Sequence, residues 1–344
     1  MVPNDSTQRL EKILSCFPKA KVGFLGDFCV DAYWDLRGQG EPSLETGLCP
    51  NLVSGARYSP GGGGNVLANL AEAGNRSVLP YGCVGNEPFG LWLQMAVGRL
   101  LSERKGSRGA FPLACVEKNY DTPVYVKPMC NGVEQPRYDI AGDREPPLEA
   151  QRKLVAKIVD DIRGNKIKVL VINQQFLHGV NTSFLRKSLA PFIGTIPFLY
   201  DGRDIPDGYP GSILKLNAPA ASRLAFGEEG RDAVESAAAL REGRPGVVVT
   251  DGERGCVVAS ADGLFSLPAI ACRTQIDIVG AGDAFFATFS LAIAVGATLQ
   301  DAAALGTCAA SVTIRKIGQT GTASPDEIRK MIPRLGTWKQ CHLK

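Results

Sequence analysis

The stretch Asp277-Ile278-Val279-Gly280-Ala281-Gly282-Asp283-Ala284-Phe285-Phe286 decides the reading of this chain. Two glycines and an alanine stand directly before an acid. The acid opens an apolar, small-residue run from Ala284 to Val295, long enough for about three helical turns. A glycine turn feeding a helix N-terminus offers unpaired backbone N–H groups and the positive end of the helix dipole, which together make an anion cradle. Asp283 falls in the first turn, facing whatever the cradle holds. A carboxylate beside a bound phosphate points to phosphoryl transfer: the amides steady charge on the transferred group, and the acid orients and deprotonates an attacking hydroxyl. Gly-x-Gly-Asp before a helix is also an ordinary turn with an N-cap, so the weight falls on the rest of the chain.

A chain of 344 residues with 44% hydrophobic and 21% charged residues has the composition of a globular α/β protein able to bury a large core. Its 38 basic and 35 acidic residues leave a net charge of +3, too balanced for a dedicated nucleic-acid binder. No apolar run reaches the length of a membrane span, and Met1 to Phe17 lacks a signal-peptide pattern. Instead Leu10, Ile13, Leu14 and Phe17 repeat at helical spacing behind caps at Asp5 or Ser6. The ten cysteines are scattered without a C-x-x-C pair, which argues against zinc and for a reducing, cytoplasmic setting. With two histidines in the chain, His-based catalysis would rest on His178 alone.

Strand-like and helix-like segments alternate. Val22 to Leu25, Val169 to Ile172, Pro197 to Tyr200, Ile213 to Leu216 and Val247 to Val249 read as buried strands. Asn65 to Ala73, Phe89 to Leu101, Gln151 to Ile162, Thr182 to Leu189 and Ala233 to Leu240 read as helices. This alternation predicts a three-layer α/β/α arrangement around a mainly parallel sheet. Asp27, Asn173, Asp201, Asn217 and Asp251 recur where strands end, the edge at which open α/β sheets bind ligands. Two segments, about 28–60 and 111–141, break the alternation. Asn131-Gly132 between extended runs is a hairpin signal. The two are read together as a small β-sheet lid inserted in a single domain spanning 1–344.

Three further stretches matter. Ser59-Pro60-Gly61-Gly62-Gly63-Gly64-Asn65 precedes a helix, lacks the lysine of a Walker A loop, and permits close backbone approach with Asn65 at the helix start. Gly26-Asp27 follows a buried strand, where a carboxylate can accept hydrogen bonds from vicinal hydroxyls. Val249-Thr250-Asp251-Gly252-Glu253-Arg254-Gly255 is a strand and turn whose amides could meet a nucleotide phosphate. Each alone is an ordinary turn or loop.

Their order along the chain resembles the ribokinase (PfkB) family of sugar kinases. Within it, Gly26-Asp27-Phe28-Cys29-Val30-Asp31-Ala32-Tyr33-Trp34, Gln135-Pro136-Arg137-Tyr138-Asp139 and Arg315-Lys316-Ile317-Gly318-Gln319-Thr320-Gly321-Thr322 are similar to the heptose-7-phosphate kinase (ADP-heptose synthesis) branch. The likeness spans roughly residues 20–330 and implies a ribokinase-like fold and an ATP-dependent sugar kinase. It implies Asp283 as base and Gly280, Ala281 and Gly282 as anion hole. Asp27, Asp31, Gly62, Gly63 and Asn65 would hold the sugar, and Arg137 a substrate phosphate. Asn217, Thr250, Gly252 and Gly255 would line the nucleotide, with Ala309, Thr313 and Gly318 bordering adenine. Mg2+ would travel with ATP, K+ would sit near Asp277, and a homodimer would form through the lid. A small-molecule sugar or sugar phosphate is the expected partner, with no nucleic acid and no membrane.

Two departures stand out. Where the family commonly has Asn-x-x-Glu, this chain reads Asn217-Ala218-Pro219-Ala220, and the acid is lost. Where a heptose kinase commonly has Asp-Tyr-x-Lys-Gly, it reads Asn173-Gln174-Gln175-Phe176-Leu177-His178-Gly179. The nucleotidyltransferase domain often fused to heptose kinases is not in these 344 residues. The missing acid motivates a second reading, a non-catalytic sugar or nucleotide sensor. A nucleoside kinase is the third.

Overall fold

The apolar runs Val22 to Leu25 and Val169 to Ile172 become neighbouring parallel strands, and the other buried runs extend the sheet from them. The computed structural model describes residues 4–75, 77–101, 115–117, 119–317 and 320–343. The first half runs α1 (Asn4–Ser15), β1 (Val22–Gly26), β2 (Phe28–Gln39), β3 (Asn51–Gly62), α2 (Gly63–Glu72), β4 (Leu79–Tyr81), β5 (Cys83–Gly85), α3 (Pro88–Leu101), β6 (Cys115–Glu117), β7 (Val124–Cys130), β8 (Val133–Glu134) and β9 (Tyr138–Ile140). The second runs α4 (Leu148–Arg163), β10 (Val169–Gln174), α5 (Ser183–Leu189), β11 (Phe198–Gly202), β12 (Ile213–Asn217), α6 (Ala218–Phe226), α7 (Ala233–Leu240), β13 (Val247–Thr250), β14 (Cys256–Ser260) and β15 (Gly263–Leu267). It closes with α8 (Ala281–Ala294), α9 (Leu299–Thr313), α10 (Pro325–Met331) and β16 (Lys339–Gln340).

The central sheet has nine strands in the order β16-β15-β14-β13-β12-β11-β10-β1-β4. From β4 to β13 every pairing is parallel, and β14 to β16 add an antiparallel edge. Period-two alternation sorts the apolar side chains between two cores. Phe24, Val171, Leu199, Ile213 and Val248 face α1, α2, α8, α9 and α10, whereas Leu25, Ile172, Tyr200, Leu214 and Val249 face α4 to α7. The same alternation puts the polar residues that follow, Asn173, Asp201, Lys215 and Thr250, on the α8 side.

β2, β3, β7, β8 and β9 form a separate five-stranded sheet in which β2 lies between β3 and β7. The Asn131-Gly132 turn has φ of 50° and 80°, as a type I′ hairpin requires. The extended run after it breaks into β8 and β9, with Pro136 between them. The described residues 115–117 belong elsewhere, because β6 pairs with β5; residues 111–114 and 118 of the expected lid lie outside the described residues. The N-terminal helix begins at Asn4, so Asp5 and Ser6 lie inside its first turn rather than capping it.

Where the two sheets join, Gly62 holds φ 55° and ψ −123°, and a Cβ there would lie 2.5 Å from the Asp27 carbonyl oxygen. Gly62→Ala therefore carries both a left-handed backbone cost and a clash, and should lower folding stability by about 2 kcal/mol or more. Denaturant unfolding of the variant beside wild type measures it.

Candidate active site

α8 starts at Gly280, whose φ of 79° turns the chain into the helix with no side-chain cap on the first amides. A Cβ on Gly280 would lie 2.6 Å from Thr320 Cγ2, so both backbone angle and space call for glycine. The helix is buried from Ala284 to Ala292, which anchors it on the sheet while its N-terminus stays open. Gly282 is exposed and Asp283 half-buried at this end.

Lys215 meets α8 from below. It is buried in β12, and its Nζ lies 3.4 Å from where a Gly282 Cβ would be. Its cross-strand partner Asp201 accepts a hydrogen bond from that Nζ at 2.8 Å. Neither residue was singled out from the sequence as part of the catalytic set. The available signal was a lysine flanked by leucines inside an apolar strand. Loss of hydration pushes the Asp283 pKa up to about 7; Asp201 and Asp31 add to the rise and Lys215 opposes it. Asp283, the open α8 N-terminus, buried Lys215 and its partner Asp201 thus come together at one place, within reach of the Asp31 charge.

Asp27 takes a different part from the expected one. Its carboxylate accepts N–H groups from Gln175 at 2.7 Å, Phe176 at 3.1 Å and Val180 at 2.7 Å, and the residue is 1% exposed. The acid is committed to holding loop 175–180 rather than offered to a sugar. Burial raises its pKa to about 6, against the opposing effect of those three amides. Its own carbonyl accepts the Gly63 N–H at 2.7 Å, which sets the start of α2 and leaves Asn65 half-buried on the first turn.

Asp31 lies on β2 in an ion pair with Lys127 of β7, at 3.0 Å. Lys127 also reaches the Tyr33 hydroxyl at 3.3 Å and stacks 4.9 Å over that ring. Burial lowers the ammonium pKa, but Asp31 and Tyr33 more than offset it, so the net shift is upward. Arg137 pairs with Asp139 at 2.7 Å and lies 4.8 Å over the Tyr125 ring. Tyr125 in turn meets Phe176 edge-on at 5.8 Å, bringing the second sheet against loop 175–180.

The nucleotide expectations divide. Asn217 and Thr250 are register partners at the ends of β12 and β13, but Asn217 Oδ1 is taken as the N-cap of α6, accepting the Ala220 N–H at 2.9 Å. Thr250 donates to the Leu216 carbonyl at 3.3 Å. Gly252 and Gly255 flank a single 3-10 turn closed by the Asp251–Arg254 ion pair at 2.6 Å. Ala309 and Thr313 do not open onto the cleft: Ala309 is in the α8–α9 core and Thr313 bonds the Ala310 carbonyl, because α9 packs its small residues against α8. Gly318 lies outside the described residues. Asp277 donates its N–H to the Ile314 carbonyl and accepts the Val279 N–H, joining the cradle loop to the end of α9.

Residues 209–327, which carry β12, β13 and α8, match the family model described as pfkB family carbohydrate kinase. The chain is 29% identical over 324 residues to the Bifunctional protein HldE of Pseudomonas fluorescens, an alignment covering 92% of this chain and 65% of that protein. It therefore spans about two thirds of that relative's length. The structure of Escherichia coli phosphofructokinase-2 in complex with potassium superimposes with a TM-score of 0.70 at 18% identity, covering 91% of this chain and 98% of that one. Arabidopsis thaliana ribokinase complexed with ribose and ATP superimposes with a TM-score of 0.62 at 19% identity, covering 91% and 98%. The mainly parallel α/β arrangement expected from the alternation, and the ribokinase-like fold that the resemblance implies, are what these structures share with it. The matched segment carries the α8 N-terminus itself, so that over residues 209–327 the chain is similar to the pfkB family of carbohydrate kinases, and over nearly its whole length it shares the fold of these kinases.

Proposed function

We propose that the protein is an ATP-dependent sugar kinase, with a heptose-7-phosphate-like sugar as the leading acceptor. The observation that carries this reading is the placement of Asp283 beside an uncapped helix N-terminus, with buried Lys215 under it. The acceptor hydroxyl attacks the γ-phosphorus in line, and its proton passes to Asp283 as the new P–O bond forms and the bond to ADP breaks. Amides of Gly280, Ala281 and Gly282 take the charge of the transferred group, and Lys215 turns from Asp201 toward it. Asp31, Asn65 and the Gly62-Gly63 backbone border the sugar. The β2–β3–β7–β9 sheet acts as the lid that keeps water from the γ-phosphate.

The residues fit the nucleotide through the α8 N-terminus, which has no side-chain cap, and the lysine; the Ala281 N–H, which donates to the Ile278 carbonyl at 3.2 Å, would have to exchange that partner for the phosphate. Mg2+ bound to ATP would neutralise phosphate charge; Asn217, whose side-chain oxygen caps α6, could offer its amide to that site, whereas Ala220 supplies no carboxylate. Oxygens of the Asp277 loop and the Ile314 segment are the type that hold K+, which would stiffen the cradle. Ala220 also favours the second reading, a sensor that binds without turnover.

ADP release across a panel of sugars and their 7-, 6- and 1-phosphates, with and without K+, tests the choice. Asp283→Asn should lower kcat by about a thousandfold while ATP affinity stays within about twofold. Nucleotide binding without turnover on any acceptor would favour the sensor.

The pH dependence has a defined sign. Asp283 acts as base only when ionised, so kcat/KM should rise with pH and level off above about 7. Asp201→Asn removes a like charge and should move that limb to lower pH. Lys215→Met removes the opposing cation and should move it higher. A folded-state pKa above 3.8 also means that the Asp283 contribution to stability is full below pH 4 and lost as pH rises through 7.

Dimerisation through the lid rests on its other face. Tyr58 lies against Phe89 and Trp92, but Tyr138 is 59% and Val133 63% exposed on neighbouring strands. Light scattering should give a dimer that Tyr138→Asp converts to monomer; a wild-type monomer at every concentration would remove this reading.

A further inference from the structure

A cavity of about 500 Å3 lies at the antiparallel edge of the central sheet, between α1, the β15–β16 ribbon and the start of α9. Arg9, Phe265, Gln300, Asp301, Trp338 and Gln340 line it. Strand register builds one wall. Phe265 pairs with Gln340 and Ser266 with Lys339, so Trp338 falls opposite Leu267, on the same face as Phe265 and Gln340. Leu267 is buried in the core that also holds α8 and α9, which turns this face inward. Diagonal neighbours on antiparallel strands stand about 7–8 Å apart, so the phenyl and indole rings lie side by side along the wall.

The facing wall is the first turn of α9. Thr298 caps that helix by accepting the Asp301 N–H at 3.1 Å. Asp301 is 6% exposed, and its Oδ1 takes two donors of Arg9, Nε at 3.2 Å and Nη2 at 2.9 Å. Its Oδ2 accepts no hydrogen bond from a described residue, yet it is not sealed from solvent. A carboxylate so far withdrawn from water, with one oxygen idle toward a cavity, points to a ligand: that oxygen can take two O–H or N–H donors. The side chains of Gln300, Gln340 and Trp338 also make no hydrogen bond among the described residues. Arg9 and Asp301 cancel in charge, so the lining is neutral. A flat apolar wall, two carboxamides that each offer a donor and an acceptor, and a carboxylate oxygen suit a neutral, planar nitrogen heterocycle joined to a polyol. The site is not the catalytic cleft. α9 leads away from it to Ile314, whose carbonyl takes the Asp277 N–H, about 20 Å along the helix.

We propose that this cavity binds a ribonucleoside. Its base lies against Trp338 and Phe265 with its edge on Gln300 and Gln340, and its ribose hydroxyls donate to Asp301 Oδ2. The site stands whether or not the cleft is that of a kinase.

Wild-type protein, with a non-hydrolysable ATP analogue and Mg2+ in excess to occupy the cleft, is titrated calorimetrically. The ligands are purine and pyrimidine ribonucleosides, their 2′,3′-dideoxy counterparts, the free bases and ribose. At least one ribonucleoside should bind once per chain, about tenfold more tightly than its dideoxy counterpart and its free base. Asp301→Asn should erase the difference between ribo and dideoxy forms, a readout that a purely structural role for the acid would not move. Trp338→Leu should weaken binding by about tenfold, and Trp338→Phe should restore most of it. Gln340→Ala should weaken binding by about threefold. Gln340 is exposed on a two-residue edge strand, so this variant carries the test should the others fail to fold. No ribonucleoside binding, equal binding of ribo and dideoxy forms, or binding untouched in every folded variant would overturn the proposal; the last would place the ligand in the cleft instead.

Discussion

Asp27 is the joint on which both sheets hang. Its N–H donates to Asn173 of β10, its carbonyl takes the Gly63 N–H at the start of α2, and its carboxylate takes three amides of loop 175–180. One buried residue thus fixes the end of the central sheet, the root of the second sheet and the loop between them. A buried carboxylate is costly, and amide donors are what make it tolerable. The raised pKa shows that desolvation still outweighs those donors. Any change that moves Asp27 moves the floor of the cleft and its roof together.

Around this joint the cleft is built from opposed charges brought close by β register. Lys215 and Asp201 are partners across β12 and β11, and Asp31 and Lys127 meet across β2 and β7. The first pair lies under the anion cradle; the second faces it from the other sheet. Burial raises the proton affinity of Asp283 most, Asp201 and Asp31 add to the rise, and Lys215 opposes it. A carboxyl that titrates near neutral pH follows from burial together with that balance rather than from any single neighbour.

Much of the fold was legible before any coordinates. The buried runs at 169–172, 213–216 and 247–249 are strands within a residue or two of the expected limits, because a strand covered on both faces must be apolar throughout. The Asn131-Gly132 hairpin follows from local backbone preference. Less legible was α9: an alanine-rich segment has helix propensity but little amphipathic pattern when buried nearly all round. Ala309 and Thr313, which the resemblance assigned to the adenine border, are part of that buried helix.

The sequence by itself determined the glycine turn into α8 and the acid in its first turn, since Gly280 to Asp283 needs only a local turn and a helix start. It also determined the β–α alternation, which is a matter of period. Only the tertiary structure decided what each polar side chain does. Asp27 looks like a sugar ligand until loop 175–180 closes on it. Lys127 carries no local signal of its partners; β2 places Asp31 and Tyr33 against it. The physical reason is the same in both cases: a side chain's partners are set by strand register and loop closure between segments far apart in the chain, and no local pattern carries that information.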